Sequence, residues 1–402
     1  MTLTVRDEIL KRLPRADISA VVTRGEAEAC KAVGIAPVFR GQESWPKRVS
    51  GIAGGLAGDA GLRQLALRFP KEIGYIAKFK GVDVVLDVSG FRYTNKFGTA
   101  ALNDARLAAC AAVYMRSRGG GYVFMPQAWG PFDGLGREYE AFLRQAVQAS
   151  VLACVRDGRS EEYLKAFIGC ESQIERCPDI AFRFEGLGPE RGRDFLALAG
   201  LDTSRPVIGI VPNMQVYSRV SGPRAMDHPY VRGLRQIVAD LLANTPAGIV
   251  LMPHSMGDGV KPEHDDRRLC EWISSGITEG GRVVTLLDDL SAAELKGVIG
   301  ACELLIGSRF HSLVAALSQR VPVVAIGWSH KYSELLELFG MRDALLDVSA
   351  GDSAERGEYV MRAWQQRLEH SDLIGAVLPT IQERVDRLFE TIMEKTPSLA
   401  VR

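Results

Sequence analysis

Six short apolar runs recur through the second half of the chain: Val207 to Val211, Gly248 to Met252, Val283 to Leu287, Leu304 to Ile306, Val321 to Ile326 and Ala344 to Val348. Segments of helical periodicity fill the gaps between them. Runs that stay apolar, instead of alternating with polar residues, are strands covered on both faces. Strands separated by helices pair in parallel, so this half is expected to be a parallel sheet flanked by helices. The first half repeats the pattern. A helix from Leu3 to Leu13 ends at Pro14, and strands Ile18 to Val22 and Ile35 to Phe39 flank a helix from Ala27 to Val33. Strands Val82 to Val88, Tyr122 to Met125 and Val151 to Val155 then alternate with helices Thr99 to Ser117, Arg137 to Ala149 and Glu161 to Phe167. Residues 41–80 are polar and Gly-rich, reading as a loop and then a helix through Phe69; no strong strand precedes Gly51 to Gly55, so the glycines read as a loop rather than a phosphate cradle.

The expected fold class is therefore α/β, with two Rossmann-like domains, parallel sheets and a cleft between the domains. The expected bounds are 1–185 for the first and 186–375 for the second, with a C-terminal helix in 376–402 crossing back to the first. Glu185 to Arg205 has the Gly, Pro and charge content of a linker with one short helix. A doubly wound domain normally opens on a strand and this chain opens on a helix, so the first strand and its Gly-rich loop are expected to be missing.

With 402 residues, 47% of them hydrophobic, there is enough apolar material for two cores. Lys plus Arg and Asp plus Glu both number 49, so no global basic field exists to recruit nucleic acid, and any anion binding must be local. The seven cysteines are scattered and form no CxxC pair, which suits buried free thiols in a reducing compartment better than zinc or disulfides. The charged N-terminus MTLTVRDEILKRLP is no signal peptide, and no apolar run approaches the ~20 residues that cross a bilayer. A cytoplasmic protein without a transmembrane segment is expected. No DxD or HExxH pattern calls for a metal, and His264-Asp265-Asp266 reads as a solvated helix start.

Chemistry concentrates where the strands end. Ser308-Arg309-Phe310-His311 follows a buried strand and opens a helix. In a parallel sheet that is the ligand crevice. Backbone N–H groups and the helix dipole attract phosphate or carboxylate there; a guanidinium clamps such a group through two bonds, and an imidazole carries a proton near neutral pH. Other strand ends carry Ser89-Gly90, Gln127 with Trp129, Arg156 with Asp157 and Ser160, Asn213, His254, and Trp328-Ser329-His330-Lys331 leading to Glu334. Each has a plainer reading beside the functional one. Arg156 could pair with Asp157; Asp157, Ser160 and Glu334 could cap helices; His254 could be a satisfied loop histidine, Trp129 could fill core volume, and His311 could cap its helix.

The block SRFHSLVAALSQRVPVVAIGWSHKYSELLELFG resembles the C-terminal signature of the polysaccharide pyruvyl transferases. PQAWGPF is similar to that family's Pro-Gln-(small)-x-Gly-Pro-Phe turn, and VRDGRSEEYL to its Arg-Asp/Glu-x-x-Ser stretch, so the resemblance spans roughly Val82 to Gly340. It implies a glycosyltransferase B-like pair of domains, acceptor side first and donor side second, and transfer of a pyruvyl group from phosphoenolpyruvate to sugar hydroxyls as a ketal. Arg309 and His311 match the family's donor-binding and catalytic pair, and Arg156 a further donor-binding arginine. Two departures stand out: Ser89-Gly90 replaces a run of glycines, and the usual opening strand with its Gly-Asn/Asp loop is missing.

On this reading Ser308 and Lys331 join donor binding, while Gln127, Trp129, Asp157, Asn213, His254 and Glu334 line the acceptor side or the cleft. His311 is the candidate general acid, and Asp157 or Glu334 the base. No cofactor is expected beyond phosphoenolpyruvate as co-substrate. The expected acceptor is a sugar or a lipid-linked oligosaccharide, the latter bringing the protein to the inner membrane face. Two other readings remain open: a nucleotide-sugar-dependent glycosyltransferase, with Arg309 or Lys331 on the diphosphate and Glu334 on the ribose, and a non-catalytic member of the family.

Overall fold

The computed structural model describes residues 1–22, 26–39, 72–169, 173–256, 265–327, 330–346, 353–396 and 399. The Gly51 to Gly55 cluster, the helix expected through Phe69, Cys170, His264, Trp328 and Ser329 lie outside the described residues. Packing divides the chain into two units, Met1–Ile180 with Glu383–Arg402, and Ala181–Gln382.

In the first unit, β1 (Ser19–Val22) and β2 (Ala36–Phe39) pair in parallel. Among the described residues they form a two-stranded sheet of their own instead of joining the strands that follow. Those strands, β3 (Val84–Asp87), β4 (Gly121–Gln127), β5 (Leu152–Val155) and β6 (Ile174–Arg176), make a parallel sheet in sequential order. One face carries Phe124, Ala153 and Val155 against the helix Thr99–Ser117. That helix buries Ala101, Ala105, Ala108, Ala109 and Ala112, and such small side chains allow the close approach of the next helix, Gly136–Ala149, which buries Tyr139, Leu143 and Val147. The opposite face buries Val123, Met125, Leu152 and Cys154 under Val5 and Ile9 of the first helix, Thr2–Arg12. Val385, Leu388, Phe389 and Ile392, from the last helix Arg367–Lys395, complete that layer. Ile374, Leu378 and Ile381 of the same helix belong to the core of the second unit.

The second unit has six parallel strands: β7 (Val207–Val211), β8 (Gly248–Leu251), β9 (Val283–Thr285), β10 (Leu304–Gly307), β11 (Val323–Ile326) and β12 (Leu345–Leu346). Their spatial order is β12-β11-β10-β7-β8-β9. The sheet grows outward from β7 through β8 and β9, then restarts on the other side with β10. Between β7 and β10 the connections leave in opposite directions, and the loops at the strand C-termini part to form a crevice. β7, β8, β10 and β11 are buried along their whole length, as their unbroken apolar runs require.

The segment expected to be a linker is part of this unit. Pro189 opens a ten-residue helix, Pro189–Leu198, that buries Leu196 and Gly192. It crosses the helix Ala292–Gly300 so closely that a Cβ on Gly192 would lie 2.0 Å from the Gly297 carbonyl oxygen. Backbone cannot yield as a flexible side chain does. Gly192→Ala is therefore expected to push the two helices apart and cost about 1–3 kcal/mol of stability, read as a lower denaturant midpoint at unchanged slope.

Five of the six described cysteines are buried and all six are free thiols. No helix among the described residues is long and apolar enough to cross a membrane.

Candidate active site

The crevice between β7 and β10 is framed before it is charged. Asn213, directly after β7, caps the short helix Met214–Tyr217 by accepting from the Gln215 N–H at 2.8 Å. Its amide nitrogen donates to the Ser308 carbonyl at 2.7 Å, which also accepts from the Tyr332 hydroxyl at 2.8 Å. The Tyr230 hydroxyl sits 2.9 Å from Ser308 Oγ and accepts from the Asn213 N–H at 3.1 Å. Asn213 and Ser308, expected on the ligand, are thus buried and satisfied by protein partners. Their polar groups serve to fix the two loops that flank the switch point.

On this frame stands Arg309. Its Nε donates to Asp266 Oδ2 at 2.8 Å and its Nη2 to Asp266 Oδ1 at 2.6 Å, a two-bond fork onto a carboxylate with no exposed surface. Asp266 also accepts from the Met214 N–H at 2.9 Å and the Ser255 N–H at 3.0 Å. The solvated helix start read from the sequence describes Asp265, which pairs with Arg267 at 2.6 Å. For Asp266 that reading is overturned, because its partner lies 43 residues away and spacing along the chain cannot reveal it. The Arg309 side chain keeps 17% of its surface, and its Nη1 makes no hydrogen bond among the described residues.

His311 is exposed on the first turn of the helix Phe310–Leu317, its ring edge-on to Phe310 at 5.6 Å. The Lys331 ammonium lies 5.6 Å from the centre of the same Phe310 ring and 5.1 Å from that of Tyr332. The Phe310 ring is therefore within reach of both an imidazole and an ammonium. His254, three residues beyond β8, is half-buried, and its pKa is pushed down to about 3, first by burial and then by the positive charges of His311 and Arg309. His311 and Arg309 are thus near enough to His254 to disfavour its charged form.

Burial pushes the Tyr332 hydroxyl up to about 12, while Arg309 and Arg219 pull the other way. Arg219 is a cation that the sequence reading missed. It is exposed and donates to the Gln215 carbonyl at 2.7 Å, six residues after Asn213, and only its place on a strand-end loop could have signalled it. Glu334 is half-buried on the helix His330–Glu337, which also carries Lys331.

The depressed His254 pKa fixes the sign of a pH effect. Unfolded, the imidazole binds a proton as pH falls below about 6.5; folded, it resists until about pH 3. Its contribution is present above pH 6.5 and lost as acid is added through that window. Melting temperatures of the wild type should fall more steeply between pH 6.5 and 3 than those of His254→Gln.

The remaining candidates belong to the first unit. Trp129 is buried, stacks on Tyr93 at 5.1 Å and donates from Nε1 to the Cys154 carbonyl at 2.9 Å, so it fills core and cannot stack on a sugar. Asp157 caps the helix Gly158–Ile168, accepting from the Ser160 N–H at 2.7 Å, and Ser160 Oγ accepts from the Trp129 N–H. Arg156 pairs with the buried Asp179 at 2.7 Å, not with its neighbour Asp157. Gln127 ends β4 with its amide buried and unpartnered among the described residues. No group of three or more His, Cys, Asp or Glu among the described residues is placed to hold a metal ion.

The second unit is a doubly wound parallel α/β sheet with basic side chains on the loops beyond its strand C-termini. The protein's solved relatives share the architecture along the whole chain. UDP-GlcNAc 2-epimerase from Neisseria meningitidis bound to UDP-GlcNAc superposes with a TM-score of 0.60 at 10% identity, over 98% of this chain and 96% of that one. Anabaena HepE in complex with UDP does so with a TM-score of 0.56 at 14% identity, over 99% and 96%. Such likeness shows the fold alone, which is glycosyltransferase B-like. The model of the polysaccharide pyruvyl transferase family matches residues 57–330, and the chain belongs to that family. A curated relative, the amylovoran biosynthesis protein AmsJ of Erwinia amylovora, is 26% identical over 93 residues, a match that spans 23% of this chain and only 22% of AmsJ.

Proposed function

We propose that this protein transfers a pyruvyl group from phosphoenolpyruvate to hydroxyls of a sugar in a polysaccharide or its precursor, forming a ketal. The observation that carries this reading is the placement of Arg309, His311 and His254 on the loops after β10 and β8, with Lys331 against Phe310, in a chain of this family. Phosphoenolpyruvate is small and carries a carboxylate and a phosphate on adjacent positions. Arg309, steadied on one edge by Asp266, offers its other edge to one of these groups, and Lys331 supplies a second positive charge.

His311, as imidazolium, protonates the methylene carbon, and the double-bond electrons form the new C–H bond. Positive charge then develops at C2, where a sugar hydroxyl attacks. The C2–O bond to phosphate breaks, the leaving phosphate takes the electron pair, and a second hydroxyl closes the ketal. Two hydroxyl protons are released: one restores His311 and the other ends on phosphate. Glu334 is assigned to take a hydroxyl proton in transit and pass it on, ending unprotonated, since it shares a helix with Lys331 whereas Asp157 already spends an oxygen on capping. His254, neutral in the free protein, meets the anion by hydrogen bonding.

The test is incubation with carbon-labelled phosphoenolpyruvate and a panel of glycans and lipid-linked sugars. Label entering the glycan with one phosphate released per pyruvyl group is expected. The two solved relatives named above hold UDP or a UDP-sugar, so UDP-sugars form the competing arm. UDP release without phosphoenolpyruvate consumption would make the protein a glycosyltransferase, and silence in both arms a non-catalytic member.

A further inference from the structure

We infer that Asp266 is a positioning residue of this site, aiming the Arg309 guanidinium and tying together the three strand-end loops that carry the anion-binding groups. The inference rests on the phosphoenolpyruvate reading for its substrate and on geometry for everything else. Each carboxylate oxygen takes one backbone and one guanidinium bond: Oδ1 from Met214 and Arg309 Nη2, Oδ2 from Ser255 and Arg309 Nε. Met214 opens the short helix after β7, Ser255 is on the loop after β8 and Arg309 on the loop after β10. The Asp266 N–H donates back to the Ser255 carbonyl at 2.9 Å, so Asp266 is itself locked to the β8 loop that bears His254.

A free arginine samples many rotamers, but a guanidinium is planar and rigid. Pinning its Nε–Nη2 edge fixes where the Nη1 edge points. A carboxylate serving only the fold would need the two backbone donors; this one also takes a two-bond fork from Arg309, which follows β10 as His311 does. Full burial of Asp266 makes the arrangement stiff, since no water competes for either oxygen.

The experiment is a double-mutant cycle on the full chain, with Asp266→Asn measured in the wild-type and Arg309→Lys backgrounds. In the wild type, Asp266→Asn is expected to raise KM for phosphoenolpyruvate about 10- to 100-fold and change kcat less than about 5-fold, as loss of ground-state binding does. In the Arg309→Lys background the same substitution should change KM less than about 3-fold, because the partner through which Asp266 acts is already altered. An equal factor in both backgrounds, or no change in either, overturns the inference and leaves Asp266 a fold staple. Should Asp266→Asn fail to fold, Asp266→Glu decides: it keeps the charge but displaces the fork, and an unchanged KM would count against positioning. Should the wild type turn over no phosphoenolpyruvate, the functional reading fails separately, and the cycle is read by thermal shift with inorganic phosphate, the same non-additivity being expected.

Discussion

Replacing His311 by alanine is expected to abolish pyruvyl transfer, with kcat falling about 100- to 10,000-fold, the range that general acid catalysis supplies. Affinity for phosphoenolpyruvate should stay within severalfold, because the proposed clamp on the anion is Arg309 and Lys331. The side chain is exposed, on the first turn of a helix whose apolar face is buried through Leu313, Val314 and Leu317. Its removal should therefore leave the melting temperature almost unmoved, as exposed substitutions cost within about 0.5 kcal/mol. Rapid-quench phosphate release and equilibrium binding, measured on the same preparation, separate the two quantities. Turnover retained in the purified variant would remove His311 from the acid role.

Arg309→Ala should behave differently, failing in binding and in stability together. It removes the cation proposed to grip the donor, and it strands Asp266, which has no exposed surface and keeps only two backbone donors. Breaking a buried pair from one side costs about 3–5 kcal/mol. For a unit of this size each kcal/mol moves the midpoint about 2–4 °C, so a fall on the order of 6–20 °C is expected. Loss of donor binding in this variant proves little by itself. Arg309→Lys keeps a charge against Asp266 and is the cleaner probe: it should recover much of the melting temperature but not the affinity, since an ammonium cannot present a second, fixed edge. Recovery of both would mean that Arg309 acts as a point charge alone.

How far the sequence revealed this molecule depends on the range of the interactions involved. The helix Thr99–Ser117 falls where its Ala-rich periodicity places it, and β7 spans the residues that its apolar run marks. Both signals are local. β6 went unread because two of its three residues, Glu175 and Arg176, are charged and exposed, as an edge strand permits. Glu185 to Arg205 read as a linker with one short helix; the helix is there, Pro189–Leu198, but it packs into the second unit, with Gly192 in close helix contact. That Arg309, His311, Lys331 and His254 lie beyond strand ends was legible, because each follows an apolar run. The frame was not. Ser308 and Asn213 look like ligand groups in sequence, and only tertiary structure shows them spent on Tyr230, Tyr332 and each other. Asp266 is the clearest case, an acidic residue among charged neighbours that tertiary contacts turn into the buried partner of the central arginine.

The central claim is that the strand-end cations of the second unit hold phosphoenolpyruvate. Its most direct test is a thermal-shift titration of the wild type and Arg309→Lys with phosphoenolpyruvate and, separately, with UDP. A ligand at 100 times its dissociation constant stabilises the native state by about 2.7 kcal/mol. Phosphoenolpyruvate should raise the wild-type midpoint in a saturable way, have far less effect on Arg309→Lys, and outdo UDP at equal concentration. A wild-type midpoint that rises with UDP and ignores phosphoenolpyruvate would contradict the account.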